Sequence, residues 1–144
     1  MRYYLDTEFN GYRGALISLA LVREDGRSLY LVAPCETPQP WIAENVIPIL
    51  RDVPVPVVDL SVEAWHLSIQ CFLAGDPTPE IVADWPDDIR YFCELLITGP
   101  GEMINVPGLS FKVERVDAYP TDLPGAVQHN AWWDAAALRW KLAA

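Results

Sequence analysis

Three short apolar stretches open the chain and predict β-strands over residues 2–9, 15–23 and 28–33. The last two are joined by Glu24-Asp25-Gly26-Arg27, in which the Asp-Gly pair is a strong signal for a tight hairpin turn. We therefore expect the fold to begin with an antiparallel meander.

Apolar residues spaced three or four apart predict helices in the rest of the chain, with short extended segments between them. Helices are expected over residues 40–50, from Asp59 or Ser61 to Gly75, from Asp88 to Leu96, and from Asn130 to about Leu142. Residues 54–58 should be extended, residues 81–83 a strand, residues 99–108 and 119–125 loops, and residues 109–116 an edge strand. The pattern predicts a mixed α/β sheet flanked by helices in one domain over residues 1–144.

The composition restricts the cellular environment and the binding partners that we expect for this protein. Cys35, Cys71 and Cys93 lack the spacing of a zinc site or a disulfide framework, so we expect reduced thiols in the core of a cytoplasmic protein. The start of the chain lacks the pattern of a secretion signal, and no apolar run is long enough to span a membrane. The net charge of −10 argues against a broad basic face for long duplex, and favours a short or single-stranded substrate if the partner is nucleic acid.

Carboxylates occur where the pattern expects apolar side chains. Asp6 and Glu8 are two apart in the first strand, so their side chains project from the same face about 6 to 7 Å apart. Asp134 falls on the apolar stripe of the last helix, and a buried, unpaired carboxylate is costly enough to call for a cation or strong hydrogen-bond donors beside it. For Asp134 a metal ion is a better partner than Arg139 or Lys141, which are poorly placed on the same helix to reach it. Asp6 and Glu8 taken alone, by contrast, could also be solvated.

Two further places in the chain carry candidate site residues, but their local pattern alone is less specific for a functional site. Asp84, Asp87 and Asp88 all lie where the strand at 81–83 meets a helix, and an Asp at a helix start is usually only a cap. Asp88 precedes Phe92 by one turn, which orients it towards the sheet. His129 lies five residues before Asp134, close enough to border the same cleft, although a lone histidine beside a helix start is more often a cap or a surface residue.

Taken in order, these residues resemble the motifs of the DEDDh 3′-to-5′ exonuclease family, which includes ribonuclease T and oligoribonuclease. Asp6-Thr7-Glu8 resembles its Asp-x-Glu motif, and residues 84–89 are similar to the second motif, in which a metal-binding Asp opens a helix. Residues 129–135, His-Asn-Ala-Trp-Trp-Asp-Ala, match His-x-Ala-x-x-Asp-Ala. The chain most resembles the short bacterial 3′-to-5′ exoribonuclease-like group, and the resemblance selects Asp88 while leaving Asp84 and Asp87 open as alternatives.

The resemblance implies a ribonuclease H-like fold and a two-metal hydrolase. Asp6, Glu8, Asp88 and Asp134 would hold two Mg²⁺ or Mn²⁺ ions, and His129 would act as general base. The expected reaction removes nucleoside 5′-monophosphates from the 3′ end of single-stranded RNA or DNA, with short RNA favoured.

Several aromatic and polar residues near these motifs are candidate substrate contacts. Phe9 and Trp85 are positioned to stack on bases, as is Trp133, and Asn130 lies inside the third motif. The many aromatic residues are also compatible with a homodimer. Two alternatives stay open: a catalytically idle ribonuclease H-like domain that binds nucleic acid or a protein partner, and a phosphodiesterase of nucleotides or dinucleotides.

Overall fold

The antiparallel meander is present in the computed structural model, which describes residues 1–143. Its strands are β1 (Arg2–Phe9), β2 (Leu16–Arg23) and β3 (Ser28–Val32). In the β1 and β2 pair, Asp6 lies opposite Ala20 and Glu8 opposite Ser18, and a bulge follows at Phe9. The three strands that the sequence predicted are confirmed to within one residue at each end.

The remaining elements alternate between helices and short strands. They are α1 (Pro40–Asn45), β4 (Val58–Asp59), α2 (Trp65–Leu73), β5 (Glu80–Ala83), α3 (Pro86–Leu96), β6 (Ile97–Gly99), β7 (Glu102–Met103), β8 (Ser110–Val113) and α4 (Ala131–Leu142). Single 3-10 turns follow α1 at Ile47–Ile49 and precede α2 at Val62–Ala64.

Six strands form one mixed sheet in the order β4-β3-β2-β1-β5-β8. β5 lies parallel to β1, and β8 lies parallel to β5 at one edge. This arrangement confirms the predicted mixed α/β class and is consistent with a ribonuclease H-like fold. The carboxyl ends of β1, β5 and β8 meet at one edge of the sheet, which is where parallel α/β sheets usually bind ligands.

Three details of the prediction were wrong. Residues 99–108 are not entirely loop, because β7 returns beside β6 as a two-stranded hairpin. Of the two starts predicted for the second helix, Asp59 is wrong because it pairs with Val32 in β4, whereas Ser61 does precede the 3-10 turn that leads into α2. Cys71 is exposed and Cys35 and Cys93 are half-buried, so none belongs to the buried core, although all are free thiols as expected.

The two faces of the sheet are covered by different helices. Tyr3 and Leu5 of β1 pack with Trp65 of α2 and Phe92 of α3, whereas Tyr4 packs with Leu138 of α4. Alternation along the strand therefore directs Asp6 and Glu8 to the face of α4, and Thr7 and Phe9 to the face of α3. No helix within residues 1–143 combines the length and apolar character needed to cross a bilayer.

Candidate metal centre and active site

The acids collect where β1 runs past the end of its parallel neighbour. Pairing between β1 and β5 ends at Tyr4 and Val82, which leaves Asp6 and Glu8 beyond the last paired residues. Asp84 follows β5 directly, and Asp88 lies in the first turn of α3. Asp134 lies in the first turn of α4, so three elements direct carboxylates to one place.

Two groups of carboxylates share Asp6. In one, carboxylate oxygens of Asp6, Asp84 and Asp88 all lie within 4.8 Å of one another. In the other, oxygens of Asp6, Glu8 and Asp134 lie within the same distance of one another. The spacing is close enough for each group to bind one cation, with Asp6 bridging the two positions.

Two oxygens of this cluster lack the partners that a buried carboxylate requires. Oδ2 of Asp6 and Oδ1 of Asp134 are buried without a hydrogen-bond partner in residues 1–143. Burial raises the pKa of Asp6 well above its usual range, and the charges of Asp88, Asp134, Glu8 and Asp84 raise it further. Without a positive charge among them, the carboxylates are therefore held at a considerable electrostatic cost.

The other carboxyls of the cluster are shifted in the same direction. Burial raises the pKa of Glu8 to about 9, assisted by the charges of Asp134 and Asp88. Burial raises the pKa of Asp88 to about 7 against an opposing hydrogen bond from Thr7, and raises that of Asp134 to about 7 against an opposing one from Tyr119. A cluster of acids with raised pKa values is typical of a functional site, and here it fits a cation site.

The three aspartates at the start of α3 have different surroundings. Asp88 is 3% exposed, and its Oδ1 accepts hydrogen bonds from the Thr7 backbone N–H at 3.2 Å and the Thr7 hydroxyl at 2.6 Å. Asp84 belongs to the same carboxylate group, whereas Asp87 instead accepts hydrogen bonds from Arg90 and Trp85. The geometry thus brings Asp88 and Asp84, but not Asp87, to the cluster.

His129 lies outside both carboxylate groups but next to α4. Its backbone has a φ of 69°, a left-handed conformation that is uncommon for residues other than glycine. Its ring packs edge-on against Trp41 of α1, with 5.0 Å between the ring centroids. Burial raises the pKa of Asp134 and a backbone hydrogen bond from His129 opposes that rise, so His129 lies beside this carboxylate, and its imidazole is half-buried.

Asn130 forms contacts that hold the start of α4. Its Oδ1 accepts a hydrogen bond from the Trp133 backbone N–H at 3.1 Å, which caps the helix. Its Nδ2 donates to the carbonyl oxygens of Ile49 at 3.0 Å and Leu50 at 3.3 Å. The side chain is fully buried, so its contacts are structural, and binding of substrate by Asn130 stays only a prediction.

Replacing Asn130 by alanine should lower the free energy of unfolding by about 2 to 4 kcal/mol, because it removes both the cap and two buried donors. Chemical denaturation monitored by tryptophan fluorescence measures the loss. Asn130→Ser keeps a capping oxygen and should recover part of the stability. A loss below about 0.5 kcal/mol for Asn130→Ala would show that these contacts contribute little.

The candidate stacking residues differ in how much ring surface they present. Phe9 packs against Tyr91 of α3 with 4.7 Å between ring centroids. Trp85 is 50% exposed. Trp133 is 9% exposed and donates from Nε1 to the Asp52 carbonyl oxygen, so its ring is not free to stack on a base.

Reasoning from the sequence missed two residues near the cluster and left Asp84 as an alternative to Asp88. Thr7 orients Asp88, and the Tyr119 hydroxyl is buried without a hydrogen bond of good geometry in residues 1–143. Asp84 belongs to the same carboxylate group as Asp88 and does not replace it. Tyr119 also influences the pKa of Asp134. Thr7 had a usable signal, because it alternates with Asp6 and Glu8 and faces α3, whereas nothing in the loop around Tyr119 indicated its position.

Part of this chain is similar in sequence to two proteins whose names state an activity. No protein-family model matches the chain. Over 88 residues it is 38% identical to two Mycobacterium tuberculosis proteins, 3′-5′ exoribonuclease Rv2179c of strain ATCC 25618 / H37Rv and 3′-5′ exoribonuclease MT2234.1 of strain CDC 1551 / Oshkosh. The match covers 56% of this chain and 51% of each relative, so the chain spans about half the length of the curated relatives it matches.

Proposed function

We propose that this chain is a metal-dependent exonuclease of the DEDDh type that shortens single-stranded nucleic acid from its 3′ end. The observation that carries the proposal is the buried carboxylate cluster, in which oxygens of Asp6 and Asp134 have no partner within residues 1–143. The similarity to proteins named 3′-5′ exoribonucleases supports the same chemistry and favours RNA.

Mg²⁺ or Mn²⁺ suits the donor set, because every candidate ligand is a carboxylate oxygen and hard divalent cations prefer oxygen. We propose Asp6, Glu8, Asp88 and Asp134 as ligands of two ions, with Asp84 able to assist on the Asp88 side. Such ions would neutralise the acids and stabilise charge on the phosphate undergoing attack. The residues therefore fit the metal that the proposed reaction requires.

His129 is proposed as the general base. Imidazole exchanges a proton near neutral pH, and His129 lies beside Asp134 with solvent access. The oxygen of a water molecule forms a bond to phosphorus while the bond from phosphorus to the 3′ oxygen of the penultimate nucleotide breaks. The proton of the water passes to His129, and the departing oxygen takes up a proton from solvent. The products are a nucleoside 5′-monophosphate and a strand shortened by one residue.

A short single strand is the proposed substrate, and a homodimer in the cytoplasm stays a prediction. The net charge of −10 disfavours a long duplex, and five of the ten Lys and Arg side chains form ion pairs with neighbouring acids. Phe9 and Trp85 are the aromatic candidates for contact with the substrate. A dinucleotide phosphodiesterase would use the same site and differ only in substrate length.

Incubation of a 5′-labelled single-stranded oligonucleotide with pure protein and Mn²⁺ tests the proposal. A ladder that shortens stepwise from the 3′ end is expected, and His129→Ala and Asp134→Asn should abolish it. Cleavage of dinucleotides alone would favour the narrower phosphodiesterase. Tight binding of an oligonucleotide without cleavage would favour an idle domain, and activity that survives both substitutions would refute the mechanism.

Loss of the Thr7 hydroxyl should weaken metal binding without removing a ligand. Thr7→Val keeps the size of the side chain but removes the 2.6 Å hydrogen bond that orients Asp88. We expect the affinity for Mn²⁺, measured by calorimetric titration, to fall by about 10-fold or more. Thr7→Ser keeps the hydroxyl and should bind Mn²⁺ nearly as the wild type does, so equal affinities for all three proteins would contradict this role.

A further inference from the structure

A cation in contact with an aromatic ring lies near the Asp84 side of the carboxylate cluster. The guanidinium carbon of Arg115 lies 4.7 Å from the centroid of the Trp85 ring. The ring is itself oriented by a 3.2 Å hydrogen bond from Trp85 Nε1 to Asp87. The two contacts together hold the guanidinium over a ring that is 50% exposed.

Sheet pairing determines where this cation lies. The Glu114 backbone N–H donates to the Ala83 carbonyl oxygen at 2.8 Å, which carries the end of β8 alongside the end of β5. Arg115 therefore follows beside Asp84. Burial raises the pKa of Asp84, and the charge of Arg115 opposes that shift, in agreement with the proximity of the two side chains.

Arg115 is available to a ligand. Five other basic side chains form ion pairs with acids: Arg2, Arg23, Arg51, Arg90 and Lys112. Arg115 forms none with the acids of residues 1–143, and nearby Asp117 accepts instead from the Tyr119 backbone N–H at 3.0 Å. A planar guanidinium without a carboxylate partner is suited to a phosphate group.

The proposed chemistry gives the direction of the strand. His129 and Arg115 adjoin different carboxylate groups that share Asp6, because His129 lies beside Asp134 and Arg115 lies beside Asp84. In an in-line displacement the attacking and departing oxygens lie on opposite sides of the phosphorus. If His129 activates the water, the departing 3′ oxygen and the strand attached to it extend towards Arg115.

We propose that Arg115, held against Trp85, binds a phosphodiester of the strand on the 5′ side of the cleaved bond. This proposal rests on the proposed function and assigns Trp85 the role of a support for the guanidinium. A dinucleotide with a free 5′ hydroxyl contains only the phosphodiester that is cleaved, whereas a tetranucleotide contains two more. Arg115 should therefore select for strands longer than a dinucleotide.

Steady-state hydrolysis of these two substrates tests the contact. Arg115→Ala should lower kcat/KM for the tetranucleotide by about 10-fold and leave that for the dinucleotide within about twofold. Arg27→Ala removes the same charge at the turn between β2 and β3. This turn lies beside the start of β1, away from Glu8 at its other end, so the substitution should change neither rate. Equal losses on both substrates, or no loss on either, would overturn the proposal.

A measurement of oligonucleotide binding tests this contact independently of the proposed reaction. Fluorescence anisotropy of a 5′-labelled tetranucleotide in Ca²⁺ should show that Arg115→Ala binds it more weakly than the wild type does. The slope of log affinity against log salt concentration should be shallower by about 0.7, the value for one phosphate contact on a single strand. Arg115→Lys should bind more weakly than the wild type but, because it keeps the positive charge, should show the same salt dependence as the wild type. An unchanged affinity and slope in Arg115→Ala would refute the contact, whereas absence of hydrolysis by the wild type would instead refute the proposed function.

Discussion

Asp134→Asn is expected to reduce exonuclease activity by at least about 10³-fold, which corresponds to about 4 kcal/mol of transition-state stabilisation. The substitution keeps the size of the side chain but removes one negative charge from the group formed with Asp6 and Glu8. A neutral amide binds a divalent cation far less strongly than a carboxylate does. The rate of mononucleotide release from a labelled single strand measures the effect.

Asp52→Asn provides a control for this loss. Asp52 has an exposed side chain outside the carboxylate groups, so its substitution changes the net charge equally without altering the site. Its activity should equal that of the wild type. Activity within about threefold of the wild type for Asp134→Asn, a difference below 1 kcal/mol, would show that the carboxylate is not needed for the reaction.

The metal-free protein should become less stable as the pH rises from about 5 to about 9, and Mn²⁺ should restore the stability. The folded-state pKa values of Asp88 and Asp134 are raised to about 7 and that of Glu8 to about 9. Since the same groups titrate near 4 in an unfolded chain, the folded state retains protons that the unfolded state has lost. The contribution of these groups to the free energy of unfolding is therefore greatest below about pH 4 to 5. It decreases as the pH rises to about 9.

Thermal unfolding in EDTA across this pH range measures the effect, and a fall of about 10 °C or more in Tm is expected. Asp134→Asn removes one of the repelling charges, so its Tm should fall less steeply and should exceed that of the metal-free wild type at pH 8. A wild-type Tm that is constant or rises between pH 5 and 9 in EDTA would contradict the electrostatic account of the cluster.

Much of the fold could be predicted because local pattern and tertiary structure agree. The Asp-Gly turn and the apolar strands around it define β2 and β3, and the spacing of Ile89, Phe92 and Leu96 defines α3. The β6 and β7 hairpin was missed because its strands are two or three residues long and mostly exposed. Such short pairings depend on tertiary contacts more than on periodicity.

The acids of the site were predictable wherever a regular element set their direction. Strand alternation put Asp6 beside Glu8, and helical spacing placed Asp134 on the inner face of α4. Asp84 follows a strand without belonging to a helix, so no periodicity indicated that it would join Asp6 and Asp88. Tyr119 and Arg115 lie on irregular segments, where a side chain's neighbours follow from the whole fold.

Calorimetric titration of Mn²⁺ into metal-free protein at neutral pH tests most directly whether the carboxylates form a metal centre. The account predicts two bound ions per chain for the wild type and for Asp52→Asn, and loss of at least one of them in Asp134→Asn. Binding to the wild type that is absent at millimolar Mn²⁺, or binding that is identical in Asp134→Asn, would contradict it.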